Sequence, residues 1–155
     1  MKVSGEDVYT LAEQHLAEKY VYKVIVPKND PFYKGPWDCA ELVSWVLYQL
    51  TGNIIGCRKL NPLSDSYTGS FNKYALKKGL IIPAEDAYSI KGSLLLRVPL
   101  KASDVSKKQI GHIAISDGCG KTVEANMKRG QVSRCSAYGR NWSYGILIPN
   151  IIYSL

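Results

Sequence analysis

Paired cysteines of the Cys-x-x-Cys kind are absent from this sequence, and histidine is scarce, with His15 and His112 the only two. A zinc ribbon or finger, which needs thiolates and imidazoles at short fixed intervals, therefore has no support, and no metal is expected. Four cysteines in 155 residues, Cys39, Cys57, Cys119 and Cys135, are too sparse for a disulfide scaffold, although one optional bridge is compatible with them. No apolar run approaches the roughly 18 residues of a membrane-spanning helix. The N-terminal stretch carries Glu6 and Asp7 where a signal peptide needs an apolar core, so synthesis without a signal peptide is expected. Internal repeats and low-complexity linkers are missing too, and the length suits one domain over 1–155.

What is present is an ordinary globular composition, 46% hydrophobic and 21% charged, with a net charge of +7. Such an excess suggests an anionic neighbour: nucleic acid, a membrane surface or an acidic polymer. The charge is unevenly placed. Residues 1–90 carry ten basic and ten acidic side chains, whereas residues 91–155 carry ten basic and three acidic.

Ser4 and Asp7 read as an N-cap with an acidic first turn, and Val8, Leu11, Ala12 and Leu16 follow at helical spacing. An opening helix of about four turns is predicted, with His15 inside it as a structural or exposed residue. Residues 24–37, rich in proline, form an irregular loop. Val43, Val46, Leu47 and Leu50 then mark a core helix from Asp38 that ends before Gly52. Asp38 serves as its N-cap and Glu41 as the reciprocal partner of a capping box. Further helical segments are expected over Tyr67–Lys78, with Gly79 as C-cap, and over Pro83–Tyr88. Strand-like runs follow at Ser93–Val98, Gly111–Asp117, Lys121–Asn126, Gln131–Cys135 and Tyr144–Ile148. Helices first and a strand meander after them is the order of an α+β domain.

Cys39 is the first residue of the core helix, where the macrodipole and unpaired N–H groups favour a thiolate and offer donors to an oxyanion. The alternative is a small buried hydrophobe. A nucleophilic cysteine needs a base. His112 alternates with Ile113 and Ile115, so it faces away from the core together with Ala114 and Ser116. On the next strand Thr122, Glu124 and Asn126 share one parity. A three-residue turn through Asp117, Gly118 and Cys119 sets Ser116 opposite Gly120, Ala114 opposite Thr122 and His112 opposite Glu124. Directly opposed side chains lie about 5 Å apart at Cβ, so Glu124 can orient the imidazole as His112 serves Cys39. The alternative for Glu124 is an exposed strand carboxylate. Trp37, Trp45 and Trp142 either line the site or fill the core, and Cys57, Cys119 and Cys135 are assigned packing or incidental roles.

The string Asp38-Cys39-Ala40-Glu41-Leu42-Val43-Ser44-Trp45, a strand opening Gly-His-Ile-Ala-Ile, and a polar residue twelve positions after that histidine resemble the NlpC-type cell-wall peptidases of the papain-like clan, in a small phage-associated or bacterial branch. The resemblance runs from about Tyr33 to Ile148. It implies an α+β, papain-like fold in which N-terminal helices, including a central Cys-bearing one, pack on an antiparallel sheet. It assigns Cys39 as nucleophile, His112 as base and Glu124 as third catalytic residue, with Tyr33 and Asp38 touching substrate. The family's usual Asp-Cys-Ser-Gly is here Asp-Cys-Ala-Glu, and the loop from Tyr33 to Cys39 is short. The implied activity is hydrolysis of an amide in a peptidoglycan stem peptide, typically between D-glutamate and a diamino acid. It needs no cofactor, takes peptidoglycan or muropeptide as substrate and acts at the bacterial cell wall.

Two other functional classes compete. One is a catalytically weak wall-binding or phage-tail structural protein of the same fold. The other is a nucleic-acid-binding module, prompted by the charge and by 11 tyrosines. No nucleic-acid motif accompanies them, and no nucleic-acid partner is expected. The basic half is the half that bears His112 and Glu124. Lys101, Lys107, Lys108, Lys121, Lys128, Arg129, Arg134 and Arg140 are expected to be mostly loop charges, either simply solvated or forming a rim that attracts anionic wall.

Overall fold

The computed structural model describes residues 2–78, 80–99 and 110–155. Gly79, Lys101, Lys107 and Lys108 lie outside the described residues. The chain runs β1 (Val3–Ser4), α1 (Gly5–Glu13), α2 (Cys39–Thr51), α3 (Thr68–Lys78), β2 (Ile81–Ile82), α4 (Ala84–Ala87), β3 (Leu94–Arg97), β4 (His112–Ser116), β5 (Lys121–Asn126), β6 (Gln131–Ser136), β7 (Tyr144–Ile146) and β8 (Ile151–Ile152). Helices α1, α2 and α3 precede an antiparallel six-stranded sheet of order β2-β7-β3-β4-β5-β6, as the α+β reading expects, and α4 follows its first strand. A parallel β1/β8 pair, too short for a periodicity signal, closes the two ends of the chain together.

The alternating strands bury one face against the helices. Leu94, Leu96, Ile113, Ile115, Val123 and Ala125 join α1 and α2 in the main core, and each of the Leu, Ile and Val side chains contributes about 1.5–3 kcal/mol. On the opposite face Leu95 and Ala137 meet α4 in a smaller cluster. α2 is the centre of the molecule: residues Ala40 through Leu47 are all buried, not only those of one stripe. Gly52, at φ 72°, ends it in the left-handed conformation that glycine adopts without a Cβ clash.

Two sequence expectations change here. α1 starts on the expected N-cap, Ser4, which Asp7 completes as a capping box, with Asp7 N–H to Ser4 Oγ at 3.2 Å and Ser4 N–H to Asp7 Oδ2 at 2.9 Å, but the helix stops at Glu13. Tertiary bonds outcompete its last turn. Ala17 turns left-handed and donates to Val132 O at 2.9 Å, and His15, instead of sitting mid-helix, wedges edge-on against Trp37 and Trp45. The second change concerns Glu41. Its backbone N–H does bond Asp38 Oδ1 at 2.9 Å, completing the N-cap, but its side chain does not return the bond.

Glu41 instead turns inward. Its Oε1 accepts from Val26 N–H at 2.9 Å, its Oε2 from Ser66 N–H at 2.5 Å, and Lys28 Nζ binds it as an ion pair in which neither side chain has exposed surface. Lys28 Nζ also donates to Ser64 O at 2.6 Å. One carboxylate thus ties the first turn of α2 to the loop before it and to the loop that leads into α3. Burying two charges is repaid only when each is paired and its remaining valences are filled, as they are here. Lys28→Met is expected to destabilise the fold by about 3–5 kcal/mol, because Glu41 stays buried without its counter-ion. Urea unfolding measures this, and Lys28→Met/Glu41→Leu should cost less than the sum of the two single changes.

Candidate active site

The N-cap geometry aims the start of α2 into a cleft of about 1190 Å³ whose lining includes Tyr20, Asp38, Cys39, Arg97, His112 and Arg140. Cys39 and His112, far apart in sequence, therefore meet in one cleft. The backbone N–H of Ile113, adjacent to His112, bonds the half-buried Cys39 thiol, as does that of Ala40. These donors favour the thiolate. Burial and the Asp38 carboxylate act the other way and prevail, pushing the thiol up to about 12. The expected dipole-stabilised thiolate is thus a thiol at rest. Asp38 is itself raised, to about 7, chiefly by burial and secondarily by Glu41, against the hydrogen bonds from Glu41 and Ala40 N–H.

His112 and Glu124 come together, though not in the expected register. Ser116 pairs with Thr122 and Ile115 with Val123, so the hairpin loop is two residues longer than a three-residue turn. A shift of two conserves the face of every side chain. His112 Nε2 consequently still lies 2.9 Å from Glu124 Oε1, reached diagonally and not straight across.

Glu124 is fully buried at its side chain and saturated with donors. Arg140 grips it with a fork, Nη1 to Oε2 at 2.7 Å and Nη2 to Oε1 at 2.5 Å, while Asn126 Nδ2 donates to Oε1 at 3.0 Å and Thr122 Oγ1 to Oε2. Burial alone would raise its pKa. The bonds from Arg140, His112 and Thr122 outweigh that and hold the carboxyl well below the usual carboxylate range. An ionised carboxylate only accepts, so His112 Nε2 carries the proton of this bond. The ring is fixed from its flat side as well: Trp142 stacks on it at 5.9 Å between centroids and 23° between planes, anchored by its Nε1–H to Ala137 O at 2.8 Å.

Tyr33 does not line the cleft. Its hydroxyl donates to Pro36 O at 2.6 Å and its ring packs edge-on to Trp37, so it braces the loop before α2. The cleft tyrosine beside the thiol is Tyr20, whose pKa is raised by burial and then by Cys39 and Asp38. Trp37 and Trp45 fill the core, and Cys57 sits between the hydroxyls of Ser44 and Ser66 at 3.3 and 3.2 Å. Arg140 is no solvated loop charge, and Arg134 pairs with Glu13. Lys128 and Arg129 do border the cleft. The grouping of Thr122, Glu124 and Asn126 follows from strand parity, whereas nothing local in the sequence marks Arg140 as their partner.

Two outcomes follow from these electrostatics. Asp38→Asn retains the cap and removes the charge that opposes the thiolate, so alkylation of Cys39 by iodoacetamide at pH 8, followed by peptide mass spectrometry, should be faster than in the wild type. Glu124 titrates lower when folded than unfolded. Its stabilisation is therefore present above the unfolded value of about 4.3 and is lost as pH falls toward the folded value. Urea unfolding between pH 4.5 and about 2 should show a shallower acid decline for Glu124→Gln than for the wild type.

No protein-family model matches the sequence, and no curated protein matches it. Similar architectures occur among solved structures. The NlpC/p60 domain of the peptidoglycan hydrolase SagA superposes with a TM-score of 0.64 at 18% identity, covering 94% of this chain and 100% of that domain. NlpC2 from Trichomonas vaginalis gives 0.61 at 18% identity over 97% of this chain, which spans 47% of that protein. An N-acetylmuramoyl-L-alanine amidase from Bacteroides uniformis gives 0.57 at 12% identity, covering 92% and 96% of the two chains. The helix bearing Cys39 at its first position, packed against the strands of His112 and Glu124, is thus set in an NlpC/p60 fold.

Proposed function

We propose that this chain is a cysteine hydrolase of peptidoglycan that cleaves an amide bond in the stem peptide, between D-glutamate and a diamino acid. The observation that carries the reading is the shared cleft of Cys39 and His112, with the imidazole held at Nε2 by an ionised Glu124. The fold shared with a peptidoglycan hydrolase supports the choice of substrate class.

With Nε2 protonated and engaged, Nδ1 is the ring nitrogen left to act as base. Because the resting thiol is protonated, attack and deprotonation are coupled: His112 Nδ1 takes the thiol proton as Sγ bonds to the substrate carbonyl carbon. The backbone N–H of Cys39 receives the oxyanion, since those of Ala40 and Glu41 are engaged by Asp38. The imidazolium then gives its proton to the leaving nitrogen as the C–N bond breaks. Water, deprotonated by the same nitrogen, attacks the thioester, and the sulfur departs and regains its proton. Glu124 steadies the imidazolium in both halves, and Arg140 is a positioning residue that keeps Glu124 charged and fixed.

Incubation with purified peptidoglycan should release free amines from the wild type and none from Cys39→Ala. His112→Ala should lower kcat by about 10²- to 10⁴-fold, the usual contribution of a general base. Equal release by wild type and Cys39→Ala would overturn the assignment of Cys39, and no release by the wild type would leave the chain a wall-binding or structural protein.

A further inference from the structure

Arg97 ends β3 directly opposite His112 in the ladder, so its guanidinium enters the cleft beside the base. It is half-buried, and its bonds are to carbonyls alone: Nε to Ile110 O at 2.8 Å and Nη1 to Arg140 O at 3.1 Å. Among the described residues no carboxylate bonds to it, and the charge of Glu124 reaches it only without a direct contact. Arg140 makes the contrast plain, since its fork is spent on Glu124. Both guanidiniums converge on Trp142, with Arg97 at 5.7 Å and Arg140 at 4.8 Å from the ring centroid, so the two cations are held near each other without a second anion. Burial, and next the Arg140 charge, lower the pKa of Arg97, and the opposing pull of Glu124 does not cancel them.

A guanidinium has five N–H donors in a planar fork. The two bonds to carbonyls leave one N–H on Nη1 and both on Nη2, the end of the fork that can donate to a carboxylate. The carbonyl bonds and the indole restrict the group, so little ordering is lost on binding. Lys128 and Arg129 add positive charge to the same cleft.

We propose that Arg97 is a carboxylate-binding residue that selects substrates bearing a free carboxylate next to the scissile amide. This deepens the proposed function and rests on it for the identity of the substrate. In a γ-linked D-glutamyl-diamino acid segment two carboxylates qualify, the α-carboxylate of the glutamyl residue and that of the diamino acid. Conversion of either to a carboxamide removes the charge with little change of shape.

The test uses L-Ala-γ-D-Glu-diamino acid peptides in three forms: the diacid, the glutamyl monoamide and the diamino-acid monoamide. One monoamide, whichever bears the contacted group, should lose at least about tenfold in kcat/KM on the unaltered protein, with the other close to the diacid. Arg97→Gln should bring the diacid down to the rate of that monoamide, and Arg97→Lys should restore part of the preference. Binding of the same peptides to Cys39→Ala, followed by calorimetry, gives a readout that needs no turnover. If no peptide is cleaved yet the diacid binds more tightly and Arg97→Gln removes the difference, the hydrolase reading falls and the carboxylate site stands. Cleavage of all three at equal rates, or binding of none, overturns the site. So does a preference that survives in Arg97→Gln.

Discussion

A glutamate and a lysine with no exposed surface, Glu41 and Lys28, fix where the first turn of α2 can sit. The helix is buried all round, so its axis is held by hydrophobic packing, but packing is non-directional and does not by itself aim the N-terminus. Direction comes from the carboxylate of Glu41, which is bonded to Val26 and Ser66 N–H on two separate loops while Lys28 neutralises it. Asp38 and Cys39 lie just before this anchor. Their orientation into the cleft follows from a charge pair on the hidden side of the same turn.

The opposite wall is organised by a second enclosed carboxylate with a different partner. Glu124 is surrounded by Arg140, Asn126, Thr122 and His112, and only the last of these is a base. A carboxylate this well solvated by fixed donors does not compete for the histidine proton; it acts as a stationary negative charge and a geometric stop. The thiol side is the reverse, poorly compensated and raised in pKa by burial and Asp38. Charge at rest is thus placed on the orienting side of the histidine, and burial and Asp38 oppose it at the sulfur.

Much of this was legible in the sequence, and the illegible parts share a cause. The helix at Cys39 announces itself by its N-cap and apolar spacing, and the facing of His112 and Glu124 by strand parity, because both signals are local. Pair register is a property of the hairpin loop, whose Asp117 side chain caps Cys119 and Lys121 N–H and so supports a wider turn than glycine content alone suggests. Glu41 offered two fates within one helical turn, and the partner that decides between them lies in a loop without periodicity. Arg140 and Tyr20 sit in similarly aperiodic segments. α1 is shorter than its apolar spacing implies because bonds to β6 and a pocket between two indoles claim the residues that would have extended it.

The β4–β5 hairpin carries a rule about change over generations of sequence. Its strands present the histidine and its carboxylate on one face, and side chains on a strand repeat every two residues. Insertions or deletions that shift the pairing by two residues leave both groups on the same side of the sheet, where a long glutamate bridges the offset. A shift of one sends one of them into the core among Ile113, Ile115 and Val123. A slip of the pairing in this hairpin is therefore filtered by parity before it is filtered by size, whereas residues added within the loop leave the facing of both groups as it is.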